Sequence, residues 1–221
     1  MSDKLQQIVL EKRTVYLAFY RRNGDPGMYH VGILVTPKSP KIWPRNGPPP
    51  TEKDMDCTLF YPVAEILEYR PWQFEMKSTM ARTELLAGLV YVGATVYYDE
   101  LLQFSIEELV PRFFPLMNYS NSHNWRGKDW VINALNYLIW SVAIDVDPTY
   151  PIGYGTADHI LKKGAAFLHK QPPSDSSDRW SKPVPTCNRS GEMIPSKVGP
   201  APRMRVRKQR DDTHRVKWRT A

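Results

Sequence analysis

Histidines and cysteines carry most of the nucleophile and base chemistry that this 221-residue chain can offer. Of His30, His123, His159, His169 and His214, only His30 falls in a stretch patterned as a strand, Tyr29-His30-Val31-Gly32-Ile33-Leu34-Val35. Pleating puts His30, Gly32 and Leu34 on one face of that strand and Val31, Ile33 and Val35 on the other. An imidazole beside a glycine at a strand start can face a cleft as a general base, or sit there as a half-exposed structural residue. Its chemical partner would be a thiol in the first turn of a helix, where unpaired N–H groups and the positive end of the dipole favour thiolate. The strongest helical pattern opens Trp125-Arg126-Gly127-Lys128-Asp129-Trp130-Val131, and no cysteine stands in it.

Two other places offer a nucleophile. Cys57 closes a proline-rich stretch, and the reading as a small apolar residue or free thiol is favoured over a nucleophile there. Ser120, Ser122 and His123 precede the helix in Tyr119-Ser-Asn-Ser-His-Asn124, where capping and turn roles also suit them. Asp129 is favourable in a first helical turn for dipole reasons alone. The sequence holds no glycine-rich phosphate loop, no Gly-x-Gly-x-x-Gly, no Gly-x-Ser-x-Gly and no Cys/His spacing suited to zinc, so it implies neither a metal nor a cofactor.

The elements that would position these groups follow from periodicity. Thr14 to Tyr20, Tyr29 to Val35, Thr58 to Val63 and Trp72 to Met76 are patterned as strands. Over Met80 to Val96, Leu85, Leu86, Leu89 and Val90 suit a helix while Leu89 to Val96 suits a strand, and the strand is favoured. Pro37 to Asp56 contains Pro37, Pro40, Pro44 and the run Pro48-Pro49-Pro50, which predicts an exposed loop. Ser105 and Glu108 form a capping-box pattern ahead of a helix shortened by Pro111. The helix from about Trp125 to Val142 buries Trp130, Val131, Ala134, Leu135, Leu138 and Val142 and keeps Lys128, Asn133 and Asn136 on a wet side. A last helix, Ala157 to Leu168, ends the domain with Ile160, Leu161 and Phe167. These elements predict an α+β fold, a small antiparallel sheet of four or five strands packed on the 125–142 helix.

Charge divides the chain in two. Residues 1–170 carry 18 Lys+Arg against 18 Asp+Glu, whereas 171–221 carry 12 against 5, so the tail holds the whole net charge of +7. Seven prolines lie between Pro172 and Pro202 with no repeating apolar face, which predicts a mostly disordered segment from 171 to 221. Its basic end, Arg203, Arg205, Arg207, Lys208, Arg210, Arg215, Lys217 and Arg219 with Trp218 interleaved, suits nucleic-acid contact, nuclear targeting or simple solvation. No apolar run approaches a membrane span, the N-terminus lacks the apolar core of a secretory signal, and only Cys57 and Cys187 could pair. An intracellular protein, cytoplasmic or nuclear, is the expectation. The tryptophans and tyrosines, Trp43 in the proline-rich loop among them, leave room for an exposed contact surface.

The strand motif Tyr29-His30-Val31-Gly32-Ile33-Leu34-Val35, followed by Pro37-Lys38, Trp72-Gln73-Phe74-Glu75 and Trp130-Val131-Ile132-Asn133-Ala134-Leu135, resembles the circularly permuted papain-like hydrolases of the NlpC and lecithin-retinol acyltransferase type, a fungal family among them. The resemblance covers roughly residues 14–140. It implies a histidine base on one strand, a second histidine on the next and a nucleophilic cysteine opening a helix. Only His30 matches. Gly127 stands at the position of the cysteine, and Tyr61-Pro62-Val63 puts Pro62 where the second histidine belongs. The expectation is a pseudo-hydrolase that binds a protein partner or acts as a scaffold. Two alternatives remain, a thiol or serine hydrolase or acyltransferase using Cys57, Ser122 or His123, and a nucleic-acid-associated protein acting through its basic tail. A relic site would set His30 against the helix turn at Gly127, since a base and its nucleophile meet at roughly 3 Å.

Overall fold

The computed structural model describes residues 12–22, 25–44, 47–63, 73–95, 127–146, 156–171 and 180–200. Strands β1 (Thr14–Arg22), β2 (Asp25–Thr36), β3 (Cys57–Val63), β4 (Gln73–Thr79) and β5 (Leu86–Thr95) precede helix α1 (Gly127–Trp140). Strand β6 (Ile144–Asp145), helix α2 (Thr156–His169) and strand β7 (Thr186–Cys187) follow. The expected helix after Ser105 lies outside the described residues.

The fold is mixed α+β, with a larger sheet than the sequence led one to expect. Among the described residues seven strands pair in the order β4-β3-β2-β1-β5-β6, with β7 also on β5. All pairings are antiparallel except β5 with β7. The added strands, β6 and β7, are two residues each, too short to leave a period-2 signature in a sequence.

Strand β1 sits at the centre, between β2 and β5, and both of its faces are covered. Its residues Thr14–Phe19 are all buried, as expected where a strand is covered on both sides. Val15, Leu17 and Phe19 join Ile33, Val35, Phe60, Val90 and Val92 on one face, and α1 and α2 pack there through Trp130, Val131, Leu135, Leu138, Ile160 and Phe167. Tyr16 and Ala18 join Leu34, Cys57, Leu86 and Leu89 on the other face, under Val184 and Val198. Helix α2 approaches the helix face closely at Gly164, where a Cβ would lie 2.4 Å from Val90 Cγ2 and 3.0 Å from the Phe19 ring. Asn136, assigned to the wet side of α1, instead tethers the two helices: its side-chain carbonyl accepts the Ala157 N–H at 3.0 Å. That bond satisfies one of the donors that a helix N-terminus leaves unpaired.

The segment 180–200 corrects the expectation of disorder from residue 171 onward. Leu89 N–H donates to Pro185 O at 2.9 Å, Val184 N–H to Val198 O at 3.0 Å and Ile194 N–H to Thr186 O at 3.0 Å. Val184, Cys187 and Val198 are buried. Prolines exclude a helix here and no periodic apolar face exists, but three apolar side chains at irregular spacing suffice when a neighbouring strand supplies the hydrogen bonds. The basic end from Arg203 lies outside the described residues.

Candidate functional site

The pleat and the strand registers decide what His30 can reach. His30 pairs with Tyr20 across β1 and β2, and Gly32 with Ala18, so His30 shares the face of Tyr20, Ala18 and Leu34. Helix α1, which opens at Gly127, packs on the opposite face against Ile33, Val35 and Phe60. The sheet therefore stands between the imidazole and the helix whose first turn would have carried the nucleophile. Pro62 departs too: two residues past Phe60 on the same strand, it falls on the helix face, away from His30. The β2–β3 pairing ends at Ile33 with Phe60, before this residue that has no N–H to give a ladder. His30, Pro62 and Gly127 are thus not brought together on one face.

His30 itself is exposed. Desolvation by its neighbours, and secondarily the Arg22 guanidinium, lowers its pKa below the ordinary histidine value. The imidazole is accordingly neutral at physiological pH, able to accept a proton but with no thiol on the described residues of its own strand pair to take one from.

Cys57 lies on the His30 face but is 2% exposed among Tyr16, Ala18 and Leu34. Its Sγ donates to Asp56 Oδ1 at 3.2 Å. Burial, and then the hydrogen bond and charge of Asp56, raise the thiol pKa far above its ordinary value, so the sulfur stays protonated. Cys187 is fully buried on the helix face and is pushed up to about 11, chiefly by burial. Both cysteines are free thiols, and the sheet separates them. Neither has the electropositive, accessible setting of a reactive cysteine. Ser120, Ser122 and His123 lie outside the described residues, as do Arg203 and the other basic positions of the tail. Among the described residues no group of three or more His, Cys, Asp or Glu could hold a metal ion.

A concave site does exist, away from His30, Pro62 and Gly127 and next to the buried Cys57, whose cross-strand partner Thr79 lines it. The β2–β3 loop, the β4–β5 connection and Trp180 enclose a groove of about 390 Å³. Trp43, Pro44, Pro48, Pro49, Pro50 and Met55 line it from the loop, and Lys77, Thr79, Met80, Arg82 and Glu84 from β4 and the β4–β5 connection. The loop is exposed to half-buried, with Pro40 buried, and it is held by its own hydrogen bonds. Trp43 Nε1 donates to Pro48 O at 2.6 Å, Gly47 N–H to Pro44 O at 3.0 Å and Lys41 N–H to Asp56 Oδ2 at 2.8 Å. At its end the Asp54 carboxylate accepts the Thr51 N–H at 2.9 Å and the Thr51 hydroxyl at 2.6 Å, and these bonds lower its pKa. On the far side, the Arg82 guanidinium lies 5.3 Å from the centroid of the Trp180 ring and donates to Gly199 O at 2.6 Å. Trp43 was legible as an aromatic in a proline-rich loop, and it is half-buried; Arg82 and Trp180 carried no local signal of joining it.

No family model, curated protein or solved structure matches this chain. Among the described residues no helix is long and apolar enough to cross a membrane.

Proposed function

We propose that this chain is a binding or scaffold protein that performs no thiol hydrolysis, and that its working surface is the groove between Trp43 and Trp180. The observation that carries this reading is the separation of His30 from α1 by the sheet, together with the burial of both cysteines. Among the described residues neither thiol is accessible to a base, and acyl transfer through a cysteine needs one that is. A papain-like relic site with its cysteine lost at Gly127 would need His30 on the α1 side of the sheet, so this role is proposed without relying on that descent. The competing reading is a hydrolase using a shifted nucleophile at Ser122 or Cys57, for which the resemblance around His30 is the support.

The test is turnover by the full chain. Activated esters, thioesters and anilides should be hydrolysed no faster than in buffer, and fluorophosphonate and iodoacetamide probes should leave Ser122 and Cys57 of the folded protein unmodified. Turnover or labelling that disappears in His30→Ala overturns the proposal and establishes a hydrolase.

A further inference from the structure

We infer that this chain pairs with a second copy of itself along the outer edge of β4, joining two sheets into one across a two-fold axis at Met76. Among the described residues β4 ends the sheet and has one neighbour, β3. At the opposite end β6 is only two residues long, so β4 is the long edge. Its ladder with β3 runs without a register shift from Cys57 with Thr79 to Val63 with Gln73, and β4 itself holds no proline. Bulges, prolines and short length keep an edge strand from pairing, and β4 has none of these. Glu75, Met76, Lys77 and Ser78 are exposed in succession, on both faces of the strand.

Charge identifies the occupant. Pleating puts Glu75 and Lys77 on the face of Tyr61 and Leu59, and Met76 on the face of Phe60. Two copies joined antiparallel at one edge have their two-fold axis normal to the sheet, which keeps each face continuous and sets the axial residue opposite its own copy. With Met76 on the axis, Glu75 of each copy lies opposite Lys77 of the other, giving two opposite-charge cross-strand pairs. That register overlaps the whole strand, because Met76 is the midpoint of Gln73–Thr79. An axis at Glu75 or at Lys77 sets that residue against its own like charge, and parallel in-register pairing does the same to both. Lys77 thus guards the edge against other registers and favours this one. The Tyr61 hydroxyl donates to Glu75 Oε2, which holds the carboxylate on the face that Lys77 shares. Met76 is 40% exposed, and the pairing covers it with its own copy.

The experiment is sedimentation of the full chain over a concentration series. A seven-residue edge makes a small interface, so the wild type should dimerise with a dissociation constant of about 10–100 µM. Lys77→Glu and Glu75→Lys should each weaken self-association at least about tenfold, because each turns both attractive pairs into like-charge pairs. Mixed in equal amounts, the two variants should form a heterodimer with wild-type affinity, which misfolded chains would not give. Under oxidised glutathione Met76→Cys should form a reducible dimer, since paired Cα atoms stand about 4.5–5.5 Å apart. Ser78→Cys, about 14 Å from its counterpart in this register, should not. A wild type that stays monomeric up to about 500 µM, well above that range, overturns the inference. So do single variants that dimerise as the wild type does, a mixture that fails to associate although both variants are folded by circular dichroism, or cross-linking through Ser78→Cys in place of Met76→Cys. None of these outcomes touches the absence of hydrolysis, which the turnover assay reads separately.

Discussion

The Cys57 thiol donates to the Asp56 carboxylate at 3.2 Å from a side chain that is 2% exposed. Ionising that thiol would place a charge where water cannot reach it and set a thiolate beside a carboxylate, and both effects hold the proton on sulfur. Cys187 is held protonated chiefly by burial alone. Alkylation of the native protein by iodoacetamide at pH 8 should therefore run at least about a hundredfold slower than for a free thiol, with both residues reacting fully after denaturation. Peptide mass mapping before and after guanidinium addition checks this. Rapid native modification of Cys57 would contradict its burial.

His30 links stability to pH with a definite sign. Its pKa is lowered in the folded chain, so the unfolded chain binds the proton more readily. The contribution to stability is complete above the ordinary histidine value of about 6.5 and is lost as pH falls through the lowered folded value. Urea denaturation of the wild type and of His30→Gln across pH 7.5 to 5 should show the wild type losing stability relative to the variant as pH falls, with the shallower dependence in the variant. A wild-type curve that rises as pH falls, relative to His30→Gln, would contradict the assigned direction.

Gly164 lets α2 lie directly on β5 and β1. An alanine methyl there would enter within 2.4 Å of Val90 Cγ2 and 3.0 Å of the Phe19 ring, both on buried side chains. Gly164→Ala should cost about 1–3 kcal/mol despite the better helix propensity of alanine, since crowding a packed core outweighs roughly 1 kcal/mol of propensity. Thermal and urea unfolding of the variant measure it, and a stabilised variant would show that the helix can move away without loss.

Val142, just past the C-terminus of α1, adopts φ of 58°, a conformation that β-branched residues rarely tolerate, and it is 60% exposed. Its side chain buries little there, so relief of backbone strain should dominate. Val142→Gly should raise stability by about 1 kcal/mol, read as a higher urea midpoint with an unchanged slope. Destabilisation would show that the valine side chain contributes more than its exposure suggests.

Much of the framework is legible in the sequence. The strand patterns beginning at Thr14 and Thr58 match β1 and β3 to within a few residues, and those at Tyr29 and Trp72 match β2 and β4. The helices from Trp125 and Ala157 match α1 and α2. These signals are local, because a side-chain period of 2 or 3.6 is written in neighbouring residues. The fold of 180–200 was not legible, since its order comes from hydrogen bonds to β5 and from covering a sheet face, neither of which leaves a period.

The sequence by itself determined that His30 shares a strand face with Gly32 and Leu34, that no cysteine opens α1, and that prolines make 37–56 a loop. Only the tertiary structure decided which sheet face the helices cover, and so put α1 on the side away from His30. It alone joined Trp43, Lys77, Arg82 and Trp180 around one groove. The physical reason is the same in both cases. Strand register and face coverage are set by packing between residues many tens of positions apart, and the alternation along one strand fixes only which side chains point together, never what they will meet.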